Sequence, residues 1–121
     1  MIDLDDRELF YEAMRLIDDT IKCIDAKDGI EGLEILNRLS TLPGYIFLDR
    51  NMPRMDGIEC LFEIRKNPAF ANIIVTIYST AASPEQVNKY RNLGATFLSK
   101  PTNYTKFING LREILFKKQI D

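Results

Sequence analysis

Along this chain, short unbroken apolar runs alternate with longer stretches whose apolar residues recur every three or four positions. The runs read as strands buried on both faces, and the longer stretches as helices with one buried stripe. Asp5-Asp6-Arg7-Glu8 opens the first helix, with acids at the end the helix dipole favours, and Leu9, Phe10, Ala13, Met14 and Ile17 form its stripe. Thr20–Ala26 is expected to be a short strand. Asp28-Gly29 reads as a turn, Leu33, Leu36 and Leu39 as a second helical face, and Leu42-Pro43-Gly44 as its stop. Tyr45-Ile46-Phe47-Leu48 is a buried strand that ends abruptly in Asp49.

The loop Asn51–Gly57 leads into a third helix carrying Ile58, Leu61, Phe62 and Ile64, which breaks at Asn67-Pro68. Ile73–Ser79 is β-branched almost throughout and predicts another buried strand. Ser83-Pro84-Glu85-Gln86 is a helix start, with a Ser cap, Pro in first position and Gln placed to close a capping box. Gly94 is expected to end that helix in a left-handed cap. Ala95–Ser99 is a further strand, and the last helix runs from about Asn103, with Phe107, Ile108, Leu111, Ile114 and Leu115 inward. Strands and helices that alternate through short connections predict an α/β fold, a parallel sheet with helices on both faces.

Composition narrows the function. The 121 residues suit one domain with one substantial core, and no linker or repeat suggests a second. A net charge of -2 disfavours nucleic-acid binding through bulk electrostatics. Histidine is absent, which removes Ser-His and Cys-His catalysis, His-ligated zinc and a phosphohistidine carrier role. Cys23 and Cys60 sit in apolar patterns, lack a CxxC partner and read as reduced, buried thiols of a cytoplasmic protein. No signal peptide or membrane-spanning run is recognisable.

The chemistry gathers at strand ends. Three strands deliver Asp49, Ser79 and Lys100 to the edge of the sheet where ligands of such folds bind. Singly, Asp49 could be a phosphate acceptor, a metal ligand or a helix cap, Ser79 an ordinary strand-end hydroxyl, and Lys100 a solvated lysine. Together they suit a phosphoryl group: a carboxylate to attack phosphorus, an ammonium to neutralise its oxygens, a hydroxyl to hydrogen-bond one of them.

Asp49-Arg50-Asn51-Met52-Pro53-Arg54-Met55-Asp56-Gly57, then Ser79-Thr80, then Lys100-Pro101, resemble in order and separation the receiver domain of two-component response regulators, of the stand-alone, chemotaxis-regulator type. The resemblance covers nearly the whole chain and implies a flavodoxin-like, doubly wound parallel sheet of order 2-1-3-4-5, counting expected strands along the chain. It implies that residues 1–121 are a receiver with no output domain. It also implies a Mg²⁺-dependent phosphoacceptor served by a sensor histidine kinase and read by a downstream protein partner. Asp49 would be the acceptor and a metal ligand, and Asn51 would lend the metal its backbone carbonyl. Ser79 would be the switch hydroxyl, Lys100 the phosphoryl partner and Phe97 the switch aromatic, which as Phe packs without a hydroxyl to bond. The Lys100–Pro101 peptide would be cis.

The amino terminus departs from that pattern. Receivers open with an apolar strand ending in two acids that hold Mg²⁺. Aligning Arg7-Glu8-Leu9-Phe10 with its usual counterpart puts that pair at Met1-Ile2, leaves Asp3 as the nearest acid, and places the first strand before residue 1. Alternatively, Ile2 and Leu4 are a stub of the strand and Asp5-Asp6 the pair. An absent interior strand opens a slot in the sheet, so residues missing from the sequence, a strand from a second copy in a swapped homodimer, or a rearranged sheet are expected. Weak Mg²⁺ binding and slow phosphorylation should follow. Two other functions stay open: an atypical receiver that binds without being phosphorylated, and an aspartyl-phosphate hydrolase. The hydrolase needs an acid where Asn51 stands.

Overall fold

Among the described residues, helices come first and last, and the sheet begins only at Tyr45, after two helices. The structure, a computed structural model, describes residues 4–50, 54–80, 82–100 and 103–116, with side chains from residue 8. The helices are α1 (Leu4–Ile17), α2 (Gly29–Arg38), α3 (Gly57–Lys66), α4 (Pro84–Asn92) and α5 (Tyr104–Phe116), and the strands β1 (Tyr45–Asp49), β2 (Ile74–Ser79) and β3 (Ala95–Ser99). The strands form one parallel sheet of order β1-β2-β3, with Asp49 opposite Tyr78 and Ser79 opposite Ser99.

Each strand alternates between two cores. Ile46 and Leu48 of β1, Val75 and Ile77 of β2, and Ala95 and Phe97 of β3 face a cluster with Leu36 of α2, Leu61 and Ile64 of α3 and Tyr90 of α4. Tyr45, Phe47, Tyr78 and Leu98 face the other, built from Phe10, Ala13 and Met14 of α1 and Phe107, Leu111 and Leu115 of α5. Full burial of a side chain such as Leu61, Ile77 or Leu111 contributes roughly 1.5–3 kcal/mol. Two-sided burial is why these strands read as continuous apolar runs. Phe62 is the exception among the expected inward residues, at 47% exposed.

Local chemistry sets most boundaries. Ser83 accepts from the N–H of Gln86, whose side chain accepts from the N–H of Ser83, the expected capping box. Gly94 takes the left-handed conformation expected of it, at φ +80°. Asn103 caps α5 by accepting from the N–H of Lys106. Asp28, expected only in a turn, is the cap of α2, and Asp56 with Glu59 makes a second capping box at α3.

Two expectations are corrected. Thr20–Ala26 is not a strand: residues 21–26 run without a ladder beside the sheet. A strand exists by pairing, and the neighbour this one needs in the order 2-1-3-4-5 is the first expected strand, which no described residue supplies. The three strands present therefore stand for the last three of that order. Secondly, Leu4, Asp5 and Asp6 are already helical, so Leu4 is no part of a strand stub and Asp5-Asp6 do not end one. Met1, Ile2 and Asp3, the alternative location of the acidic pair and its neighbour, lie outside the described residues.

Candidate functional site

Parallel pairing brings the carboxyl ends of all three strands to one edge, and three backbone features hold the exits there. The N–H of Arg50 donates to the Tyr78 carbonyl at 3.0 Å, and the N–H of Lys100 to the Ser79 carbonyl at 2.7 Å. Gly57 closes the loop that follows Asp49: a Cβ there would lie 2.6 Å from the Asp49 carbonyl oxygen, so only glycine lets α3 begin so near.

Of the expected site residues, Asp49 and Lys100 meet directly. Lys100 Nζ lies 2.8 Å from Asp49 Oδ2, with the acid side chain 2% and the lysine 15% exposed. The ammonium also sits over the Tyr78 ring, 5.6 Å from its centroid. A buried carboxylate is costly unless an opposite charge accompanies it, and Lys100 supplies that charge. Ser79 is buried at the adjacent strand end. Asn51 and Pro101, with the expected metal carbonyl and cis peptide, lie outside the described residues, as does Asp3.

Phe97 is half-buried on the opposite face of the sheet from Tyr78. Its ring stacks on Tyr90 at 6.1 Å between centroids, with planes 24° apart. The Tyr90 hydroxyl accepts from Arg50 Nη1 at 2.7 Å. The residue after the acid is thus linked through α4 to the aromatic on β3, a connection the sequence did not disclose. The sequence reading also missed Arg54. Its Nε and Nη2 reach Asp28 Oδ2 at 2.8 and 2.6 Å, while Asp28 Oδ1 caps α2 through the N–H of Glu31. That backbone bond, with help from Arg54, holds the Asp28 carboxyl below its ordinary value although burial works against it. Arg54 adopts φ 64°, the only positive φ of a non-glycine among the described residues.

Of the two cysteines expected to be buried, Cys60 is, whereas Cys23 is exposed because its stretch joins no ladder; both are chemically quiet. Burial pushes the Cys60 thiol to about 11 and raises that of Cys23, so neither is a thiolate nucleophile near neutral pH. Among the described residues, no group of three His, Cys, Asp or Glu side chains could hold a metal. Asp49 is the one described carboxylate of the expected ligand set, so the described residues do not by themselves complete a Mg²⁺ site.

A parallel, doubly wound sheet with a buried acid–ammonium pair at its strand ends defines a flavodoxin-like signalling fold. The model of the response regulator receiver domain matches residues 3–112, and this chain belongs to that family. Chemotaxis protein CheV3 of Helicobacter pylori is 30% identical over 101 residues, 79% of this chain and 32% of CheV3. Sensory transduction protein LytT of Oceanobacillus iheyensis is 31% identical over 126 residues, 99% of this chain and 50% of LytT. The chain thus spans half or less of the length of these curated relatives, and 12% of the sensor histidine kinase CheAY of H. pylori. Among solved structures, the phosphorylated cyanobacterial phytochrome response regulator RcpA superposes with a TM-score of 0.80 at 24% identity, covering 93% of this chain and 84% of RcpA. The Mn²⁺-bound form of response regulator Rcp1 gives 0.71 at 26% identity, covering 93% and 85%. The protein is a receiver domain of the kind used in two-component and chemotaxis signalling.

Proposed function

We propose that this receiver accepts a phosphoryl group on Asp49 from a sensor histidine kinase and signals through protein contacts. The observation that carries the reading is the Asp49–Lys100 pair at the carboxyl edge of the sheet. A carboxylate oxygen of Asp49 attacks phosphorus as the phosphorus–nitrogen bond of the donor imidazole breaks. The imidazole leaves with the electron pair and takes a proton from solvent, and an acyl phosphate remains. Lys100 neutralises charge on the transferred group and Ser79 donates its hydroxyl hydrogen to one of its oxygens. Mg²⁺ is the cation of this reading, with Asp49, the Asn51 carbonyl and Asp3 as its ligands, and when bound it would share the charge on the phosphoryl oxygens. With Met1-Ile2 aligned where the family keeps its acidic pair, phosphorylation is expected to be slow.

Output runs through α4, β3 and α5, where Phe97 packs against Tyr90 and a partner protein would read their arrangement. Residues 1–121 act as the receiver unit, in the cytoplasm; among the described residues no helix is long and apolar enough to cross a membrane. Asn51 in place of an acid argues against an aspartyl-phosphate hydrolase. The closed ion pair favours a second reading, a receiver that binds partners without being phosphorylated. Incubation with acetyl phosphate and Mg²⁺, followed by intact mass, separates the two. Slow gain of one phosphate, abolished by Asp49→Asn and strongly slowed by Lys100→Met, is expected. No gain at any Mg²⁺ concentration would leave the binding-module reading.

A further inference from the structure

A backbone outlier lies in the loop between β1 and α3. Arg54 sits at φ 64°, a conformation that a residue with a side chain keeps only where its surroundings hold it. What holds it belongs to another element. Arg54 Nε and Nη2 both reach Asp28 Oδ2, at 2.8 and 2.6 Å, and the Asp28 side chain is 3% exposed. The other oxygen, Oδ1, accepts from the N–H of Glu31 and caps α2. The helix therefore fixes the carboxylate on which the arginine closes. Met55 extends the same contact: a Cβ on Gly29, the first residue of α2, would lie 3.0 Å from the Met55 carbonyl oxygen.

The two ends of the loop are fastened separately. The N–H of Gly57 donates to the Arg50 carbonyl at 3.2 Å, and Asp56 and Glu59 exchange bonds in the capping box of α3. Arg50 directly follows Asp49. The segment that leaves the acid and returns as α3 is thus tied to itself at Gly57 and, through Arg54, to α2. Release of Arg54 to an ordinary negative φ is a large rotation of the backbone inside that segment.

We propose that Asp28 and Arg54 form a latch that holds residues 50–57 in the geometry the phosphoacceptor needs, which makes both of them positioning residues for Asp49. Its effect on phosphorylation rests on the proposed function; the latch itself is a property of the fold and is read without a phosphate donor.

Three single variants and one double variant test it, each measured in two ways. Arg54→Gly accepts φ 64° without strain and removes the guanidinium. Asp28→Asn keeps the cap with its oxygen and turns an NH₂ group toward Arg54 in place of the anion. Arg54→Lys is the conservative variant: both arginine donors meet a single oxygen, so an ammonium can take their place. The first measurement is amide hydrogen exchange by NMR. In Arg54→Gly and Asp28→Asn the Gly57 amide should exchange faster by about tenfold beyond any change at Ile77 in the central strand, and Arg54→Lys should stay close to wild type. The second is the rate of phosphate gain from acetyl phosphate at fixed Mg²⁺, read by intact mass. It should fall about tenfold in the same two variants, recover with Arg54→Lys, and fall no further when Arg54→Gly and Asp28→Asn are combined. Wild-type exchange at Gly57 in Arg54→Gly would overturn the proposal. Equal acceleration of Gly57 and Ile77 would also overturn it, because the pair would then serve only overall stability. So would losses that multiply in the double variant, since the two residues would then act apart. A wild-type protein that takes no phosphate would remove the proposed function, and exchange at Gly57 would still decide whether the latch exists.

Discussion

Asp28 shows how a single side chain can serve two parts of the molecule. One oxygen caps α2 and the other anchors Arg54, whose backbone sits in the left-handed region. Because the folded carboxyl titrates below its ordinary 3.8, its contribution to stability is fully present above the unfolded value and is lost as pH falls through the folded one. Asp28→Asn keeps a good cap but removes the charge. The gap in thermal midpoint between wild type and this variant should therefore be constant near neutrality and shrink as pH drops below about 4. A gap that persists undiminished into strong acid would contradict the assignment. Arg65 is a second such residue: its guanidinium donates to the carbonyls of Phe70, Ile73 and Gly94. Lysine cannot span all three, and Arg65→Lys should cost about 2 kcal/mol in urea unfolding; a loss too small to measure would mean that water replaces these bonds. Asp49, Ser79 and Lys100 were legible because each closes an apolar run, a local signal. Arg50, Arg54 and Arg65 were not, because their partners lie far along the chain and nothing in the spacing of an arginine says which carbonyl or carboxylate it will find.

At the scale of elements, the sequence was most legible where local chemistry decides the outcome. The Ser83–Gln86 box and the end of α4 at Gly94 form from side chains and backbone preferences within a few residues, and the apolar runs at Tyr45, Ile74 and Ala95 became strands because each finds another as its partner. Gly94 is held at φ +80°, where a Cβ would also lie 3.1 Å from Arg65 Nε. Gly94→Ala should therefore destabilise the protein by more than about 1 kcal/mol, and an unchanged denaturation midpoint would show that the helix end relaxes freely. Thr20–Ala26 failed as a prediction for a physical reason. Its apolar residues suit a short strand, but a strand is a property of a pair, and sequence pattern reports only one member. Phe62 failed for the converse reason: apolar identity predicted burial, while its position on α3 turns it outward.

For the whole molecule, the chemical edge rests on three parallel strands. The carboxyl ends of β1, β2 and β3 assemble the acid, hydroxyl and ammonium that suit an acyl phosphate. The family explains the alternation of strands and helices and the direction of the sheet. The central claim is that Asp49 carries the phosphoryl group, and locating that group tests it most directly. Protein treated with acetyl phosphate and Mg²⁺ is reduced with borohydride, which converts an aspartyl phosphate to homoserine, and its peptides are sequenced by mass spectrometry. The account predicts homoserine at residue 49 and at no other acid; a phosphate retained on Ser79, or no modified residue at all, would contradict it.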